Sequence, residues 1–257
     1  GEATKFIGDF DGDGFGDFAV SARADEQPTS FSTIDIIDPA GCPPRRSNTG
    51  SVYIFRGQAD GTVNAEPSFV IYGELANENL EHIGGVVDFN NDNFSDLYIG
   101  ARFADTPNPN GGQKRDAGRA LVYRGRPAPL AGQRAILCEP DLVFEGANAN
   151  NHLGTSVTPL GDIDGDGCGE VAFGEPEISV DGNNRQGAVH ILYGWGGAGC
   201  YATPHITSIT FRNTDARFGT SLATSDLDSD GISDIVIGGF NTNYNGIRPG
   251  AVWVVRG

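Results

Sequence analysis

Four short acidic loops carry the residues best suited to chemistry. They run Asp9-Phe-Asp11-Gly-Asp13-Gly-Phe15-Gly-Asp17, Asp88-Phe-Asn90-Asn-Asp92-Asn-Phe94-Ser-Asp96, Asp162-Ile-Asp164-Gly-Asp166-Gly-Cys168-Gly-Glu170 and Asp226-Leu-Asp228-Ser-Asp230-Gly-Ile232-Ser-Asp234. Oxygen-bearing side chains fall at positions 1, 3, 5 and 9 of each, while position 2 is always apolar (Phe10, Phe89, Ile163, Leu227). If the chain curls, positions 1, 3 and 5 converge on one point, and position 6 must turn sharply. Gly14, Gly167 and Gly231 suit that turn and Asn93 tolerates it. Hard oxygen donors at two-residue spacing, with a backbone carbonyl from position 7 (Phe15, Phe94, Cys168, Ile232), describe a Ca²⁺ site rather than zinc or copper. An EF-hand is excluded, because its Glu at position 12 is replaced by Val20, Ile99, Phe173 and Ile237. Up to four Ca²⁺ ions are expected, with a role that is structural first, since the carboxylates repel one another without metal.

The elements around the loops repeat with them. The loop starts are 79, 74 and 64 residues apart. Each loop is followed by an apolar run (Phe18–Val20, Leu97–Ile99, Val171–Phe173, Ile235–Ile237). A second signature begins at Gly50, Gly118, Gly187 and Gly250, and a third run precedes the next loop at 68–73, 141–146 and 206–211. With the strand that leads into each loop, this makes four short strands per repeat, bounded by Gly, Asn, Asp and Pro. The chain therefore reads as all-β, a single domain over 1–257 with repeats at about 1–74, 75–147, 148–216 and 217–257. Four strands at such a period are the arithmetic of a β-propeller with four-stranded antiparallel blades.

The repeats resemble the FG-GAP repeats of integrin alpha-subunit β-propellers. The named dipeptide stands as Phe218-Gly219 and, as a variant, Leu153-Gly154, and the GAP element as Gly100-Ala101-Arg102, Gly174-Glu175-Pro176 and Gly238-Gly239-Phe240. The resemblance implies that position 9 (Asp17, Asp96, Glu170, Asp234) closes the metal coordination. It implies an adhesion or ligand-binding role, with a protein or glycan ligand on the face opposite calcium, where the strand 2–3 and 4–1 connections lie. There the first repeat carries an insertion at roughly 22–49, and the connections hold Arg23, Arg45, Arg46, Arg102, Lys114, Arg115, Arg185 and Arg248 and the polar stretch Asn241 to Asn245. The family usually makes seven blades, whereas the fourth repeat here stops after its third strand. The chain then reads, in order of preference, as a fragment, as one part of a ring completed by another chain, or as a small ring of four, and oligomerisation or ring completion is expected because an open strand edge invites pairing.

Composition narrows the alternatives. The chain has 257 residues, 17 Lys+Arg against 34 Asp+Glu, and a formal net charge of −17, with no basic stripe, which argues against nucleic acid. No run approaches the roughly 20 apolar residues of a membrane-spanning helix, so no transmembrane segment is expected. His82, His152, His190 and His205 have no Cys or Glu at metal-ligand spacing, and no Gly-x-Ser-x-Gly elbow is present, so the reading is non-enzymatic. The enzyme alternative is a propeller module of a secreted polysaccharide- or lipid-processing enzyme, and the bland one is a structural spacer. Cys42, Cys138, Cys168 and Cys200 lack Cys-x-x-Cys spacing. The blade arrangement puts the last three on the calcium face, so a bridge from Cys168 to Cys138 or Cys200 is expected. An even count with calcium loops predicts an extracellular, cell-surface or periplasmic setting.

Overall fold

A computed structural model describes residues 3–23, 25, 35–37, 47–180, 182, 184–242 and 249–257. Its strands are β1 (Thr4–Gly8), β2 (Asp17–Ala22), β3 (Asp35–Ile37), β4 (Ser51–Phe55), β5 (Phe69–Tyr72), β6 (His82–Val87), β7 (Asp96–Ala101), β8 (Thr106–Pro107), β9 (Gln113–Lys114), β10 (Arg119–Tyr123), β11 (Arg134–Leu137), β12 (Leu142–Glu145), β13 (Ser156–Gly161), β14 (Glu170–Glu175), β15 (Ala188–Tyr193), β16 (His205–Thr210), β17 (Ser221–Ser225), β18 (Asp234–Gly239) and β19 (Ala251–Val255). Among the described residues there is no helix, hence none long and apolar enough to cross a membrane.

Each repeat forms an up-and-down antiparallel sheet, as the patterning predicts. The orders are β12-β10-β7-β6, β13-β14-β15-β16 and β17-β18-β19, and the first repeat supplies β1-β2-β4-β5. Alternate residues of a strand point to opposite faces, so a strand between two sheets must be apolar on both. All six residues of β7 are buried for this reason. Leu97 and Ile99 pack towards the first sheet, and Tyr98 towards the third. β1 packs on β6, β6 on β13 and β13 on β17, which places the four sheets in sequence order around their loop-bearing inner strands.

The two outermost faces break this pattern. Val252 and Val254 stand where Val189 and Ile191 stand in the third sheet, yet are 69% and 53% exposed while their counterparts are buried. Phe18 is 38% exposed, while Leu97, Val171 and Ile235 at the same strand position are buried. Leu227, the apolar position 2 of the fourth loop, is also exposed, with no sheet covering it among the described residues, unlike Phe10 and Phe89.

The sequence reading misses four strands. β11 pairs in parallel with both β5 and β3, so the first sheet has six strands in the order β1-β2-β4-β5-β11-β3 rather than four antiparallel ones. β8 and β9 form a two-stranded hairpin in the connection between β7 and β10. The resemblance motifs have a steric function between sheets. A Cβ on Gly100 would lie 2.1 Å from the carbonyl oxygen of Gly154, and one on Gly174 1.9 Å from that of Gly219, so the motif glycines let adjacent repeats close up.

Candidate metal centre

The four loops share one hydrogen-bond scheme. The position 1 carboxylate accepts from backbone N–H groups across the loop: Asp9 from Asp13 and Gly14 at 3.0 and 2.8 Å, Asp88 from Asp92 and Asn93 at 3.1 and 2.7 Å, Asp162 from Gly165 and Gly167 at 2.7 and 2.9 Å, and Asp226 from Asp230 and Gly231 at 3.1 and 2.9 Å. The position 5 carboxylate accepts from the N–H of position 7: Asp13 from Phe15, Asp92 from Phe94, Asp166 from Cys168 and Asp230 from Ile232, at 2.8–3.0 Å. Position 6 has positive φ in all four, as read from the glycines, but so does position 4 (Gly12 74°, Asn91 54°, Gly165 78°, Ser229 64°). Two left-handed residues curl each loop. Cys168 is bonded to Cys200, which ties the third loop to the 194–201 turn, and Cys138 is disulfide-bonded as well. Cys42 lies outside the described residues.

Position 9 is a buried brace. Asp17 accepts from the N–H groups of Phe10 and Gly57, Asp96 from Phe89 and Gly125, Glu170 from Ile163 and Gly194, and Asp234 from Leu227 and Gly257. Each thus locks position 2 of its loop to the glycine just beyond the third strand of its sheet. That glycine follows an arginine in Arg56-Gly57, Arg124-Gly125 and Arg256-Gly257, a recurrence legible in the sequence but not used there. Arg56 pairs with Asp11 through Nε and with Asp13 Oδ2 at 2.7 Å, and Arg256 Nη1 lies 2.6 Å from Asp228 Oδ2.

The side chains of three loops form compact groups. Oxygens of Asp9, Asp11 and Asp13, of Asp162, Asp164 and Glu170, and of Asp226, Asp228 and Asp230 lie within 4.8 Å of one another in each group. In the second loop Asp88, Asp92 and Asp96 do not gather this way among the described residues, and Asn90 donates to Asp92 at 2.9 Å. The buried Oδ1 of Asn90 nevertheless has no hydrogen-bond donor. An all-oxygen donor set with an orphaned carbonyl fits a hard cation and gives a soft metal no thiolate or imidazole. The oxygens brought together would hold a Ca²⁺ at positions 1, 3 and 5 in the first and fourth loops and at positions 1, 3 and 9 in the third, while Asp17, Asp96 and Asp234 at position 9 accept from backbone N–H groups with both oxygens.

Burial pushes the Asp17 carboxyl up to about 6, Asp96 to about 7 and Glu170 to about 7, against the backbone N–H donors that pull each down. A carboxyl raised by folding stabilises the fold in acid, and that contribution is lost as pH climbs through the folded value. For the metal-free protein we expect these three groups to contribute fully below about pH 4 and to stop contributing above about pH 7. Calcium needs the ionised oxygens, so its stabilising increment should grow over the same window. Thermal melts of metal-free and calcium-saturated protein at pH 5 and 7.5 check this. Asp96→Asn should flatten the metal-free slope, and an unchanged slope would refute the assignment.

On the opposite face, Arg102 Nε bonds Glu81 Oε1 at 2.6 Å and its guanidinium lies 4.5 Å from the Phe103 ring centre. Arg23 lies 3.5 Å from Glu81, and Arg185 3.2 Å from Asp215. The basic side chains expected to meet a ligand there are therefore partly neutralised by carboxylates. Arg45, Arg46 and Arg248, residues 243–245 and most of the 22–49 insertion lie outside the described residues.

No family model matches the chain. Integrin alpha-4 of Xenopus laevis is 30% identical over 219 residues, covering 82% of this chain and 19% of that protein. Integrin alpha-V of Gallus gallus is 26% identical over 242 residues, covering 92% and 20%. The chain thus spans about a fifth of the length of these relatives. Among solved structures, a rhamnogalacturonan lyase of Bacillus licheniformis aligns with a TM-score of 0.43 at 14% identity, covering 90% of this chain and 38% of the lyase. From the acidic loops to the strands that carry them, this chain resembles the FG-GAP propeller repeats of integrin alpha subunits over most of its length.

Proposed function

We propose that the chain is a calcium-stabilised, extracellular adhesion or ligand-binding propeller module, a role that requires no catalysis. The repeats at about 1–74, 75–147, 148–216 and 217–257 are its blades. The loops Asp9–Asp17, Asp88–Asp96, Asp162–Glu170 and Asp226–Asp234 hold up to four Ca²⁺ ions, and the opposite face receives a protein or glycan. The observation that carries this reading is the fourfold recurrence of one loop scheme, with the same side chain bonding the same backbone group each time. Similarity to integrin alpha subunits supports the adhesion role. A disulfide at Cys168–Cys200 supports an oxidising, extracytoplasmic compartment. The exposed apolar faces at Phe18 and at Val252 and Val254 support completion of a larger ring by further sheets, from the same protein or from a partner chain.

Binding to glycan and extracellular-protein arrays, in calcium and in chelator, tests the reading. Calcium-dependent capture of a ligand class, weakened by charge reversal at Arg102, is expected. No ligand on either array would leave a spacer and sink the binding role.

A further inference from the structure

A side-chain network across β14, β15 and β16 of the third sheet, joined by Asn151 from the β12–β13 connection, is built like a hydrolytic centre. Asn151 Nδ2 donates to Glu175 Oε1 at 2.8 Å, His190 Nε2 lies 2.8 Å from Glu175 Oε2, and His190 Nδ1 lies 2.8 Å from Ser208 Oγ. Asn151 and Glu175 are buried, His190 is half-buried and Ser208 is exposed. An ionised carboxylate only accepts, so Glu175 assigns the proton to Nε2. In the neutral imidazole Nδ1 is then a lone pair, and the Ser208 hydroxyl donates to it. The order serine, imidazole, buried carboxylate is the one that makes a hydroxyl nucleophilic, here with the two ring nitrogens exchanged relative to the serine-protease arrangement.

A cleft of about 220 Å³ opens beside this network, lined by Phe144, Leu153, Phe173, Leu192 and Ile206 together with Glu175 and His190. Ile206 and Ser208 share one face of β16, and Ser208 is the cross-strand neighbour of His190. β16 is the edge strand of its sheet, so its outward N–H groups have no ladder partner there.

We propose that Ser208, His190 and Glu175 form an esterase-like site for small carboxylic esters with a short apolar acyl group, which the cleft receives. Ser208 Oγ attacks the ester carbonyl carbon while its proton passes to His190 Nδ1. The tetrahedral adduct collapses, the bond to the alkoxy group breaks, and that group leaves as an alcohol with the proton from Nδ1. Water then attacks the acyl-serine, giving its proton to Nδ1, and the carboxylic acid departs as Ser208 recovers its proton. Glu175 stays ionised and steadies the imidazolium. The sequence hides this site because Ser208 lies on a strand rather than in an elbow, and each member comes from a different strand.

The test is labelling by a fluorophosphonate probe, located by mass spectrometry, with hydrolysis of p-nitrophenyl butyrate in calcium. Label on Ser208 is expected, with turnover lost about 10²–10⁴-fold in both Ser208→Ala and His190→Gln. Ser208→Ala removes an exposed edge-strand hydroxyl, and an unchanged Tm shows that its fold is intact. Absence of label at Ser208, or turnover in Ser208→Ala equal to that of the parent, overturns the proposal. Neither outcome touches the calcium reading, which is tested by thermal stability and titration calorimetry.

Discussion

Removing calcium is expected to lower the melting temperature by about 5–10 °C for each site emptied, and by some tens of degrees if all four are filled. At a free concentration about 100 times Kd, one occupied site contributes about 2.7 kcal/mol, and a chain of this size shifts by roughly 2–4 °C per kcal/mol. The effect is additive across loops only as far as the sheets unfold together. Calorimetric melts in 10 mM calcium and in chelator measure it, with titration calorimetry giving the stoichiometry. Magnesium should substitute poorly, because it demands near-octahedral geometry and holds its water. Asp228→Asn should remove one site while leaving the metal-free melt nearly in place. A melt indifferent to calcium would remove the metal from the account, and the loops would then be solvated turns.

The second large effect lies on the other face. Glu78 is fully buried, accepting from the N–H groups of Glu74 and Leu75 at 2.6 and 3.0 Å and from Arg119 Nη1 at 2.6 Å. Arg119 also lies 3.0 Å from Glu74 and 3.8 Å from Glu145. Burial pushes the Glu78 carboxyl up, and the guanidinium is the largest influence holding it down. Arg119→Met removes that counter-charge and should cost about 3–5 kcal/mol, a fall in Tm of roughly 6–20 °C. The double variant Arg119→Met, Glu78→Gln should recover a good part of the loss, because the orphaned charge is then gone. If the double variant is no more stable than the single one, lost packing rather than charge accounts for the cost.

The fifteen strands that recur with the loops were legible because repetition multiplies a weak signal. One run such as Leu97–Ile99 is ambiguous, but four in register are not. β11 was illegible for the opposite reason: it has no counterpart in the other repeats among the described residues, and it pairs in parallel with a strand 66 residues away, as in Ala135 with Phe69. The chelating spacing could be read from Asp9, Asp11 and Asp13, whereas the brace from Asp17 to Gly57 could not, since it needs the sheet to bring the strand-3 exit alongside the loop. Leu227 shows the limit of local pattern. Its sequence position equals that of Phe10, but burial needs a covering sheet, and none lies over the fourth loop among the described residues.

Arg56 and Arg256 act as tethered counter-ions for the first and fourth loops, whereas among the described residues no arginine pairs with the third. A divalent ion arriving at the first or fourth loop must evict a guanidinium that stays covalently nearby, so it gains less than by dispersing free ions into solution. The same arginine competes for re-entry whenever the ion leaves, which shortens the ion's residence. If calcium fills the loops as proposed, the first and fourth would therefore bind it more weakly and release it sooner than the third, which has no tethered arginine among the described residues. A module that looks fourfold in its sequence would then lose its metal from the ends of the arc inward.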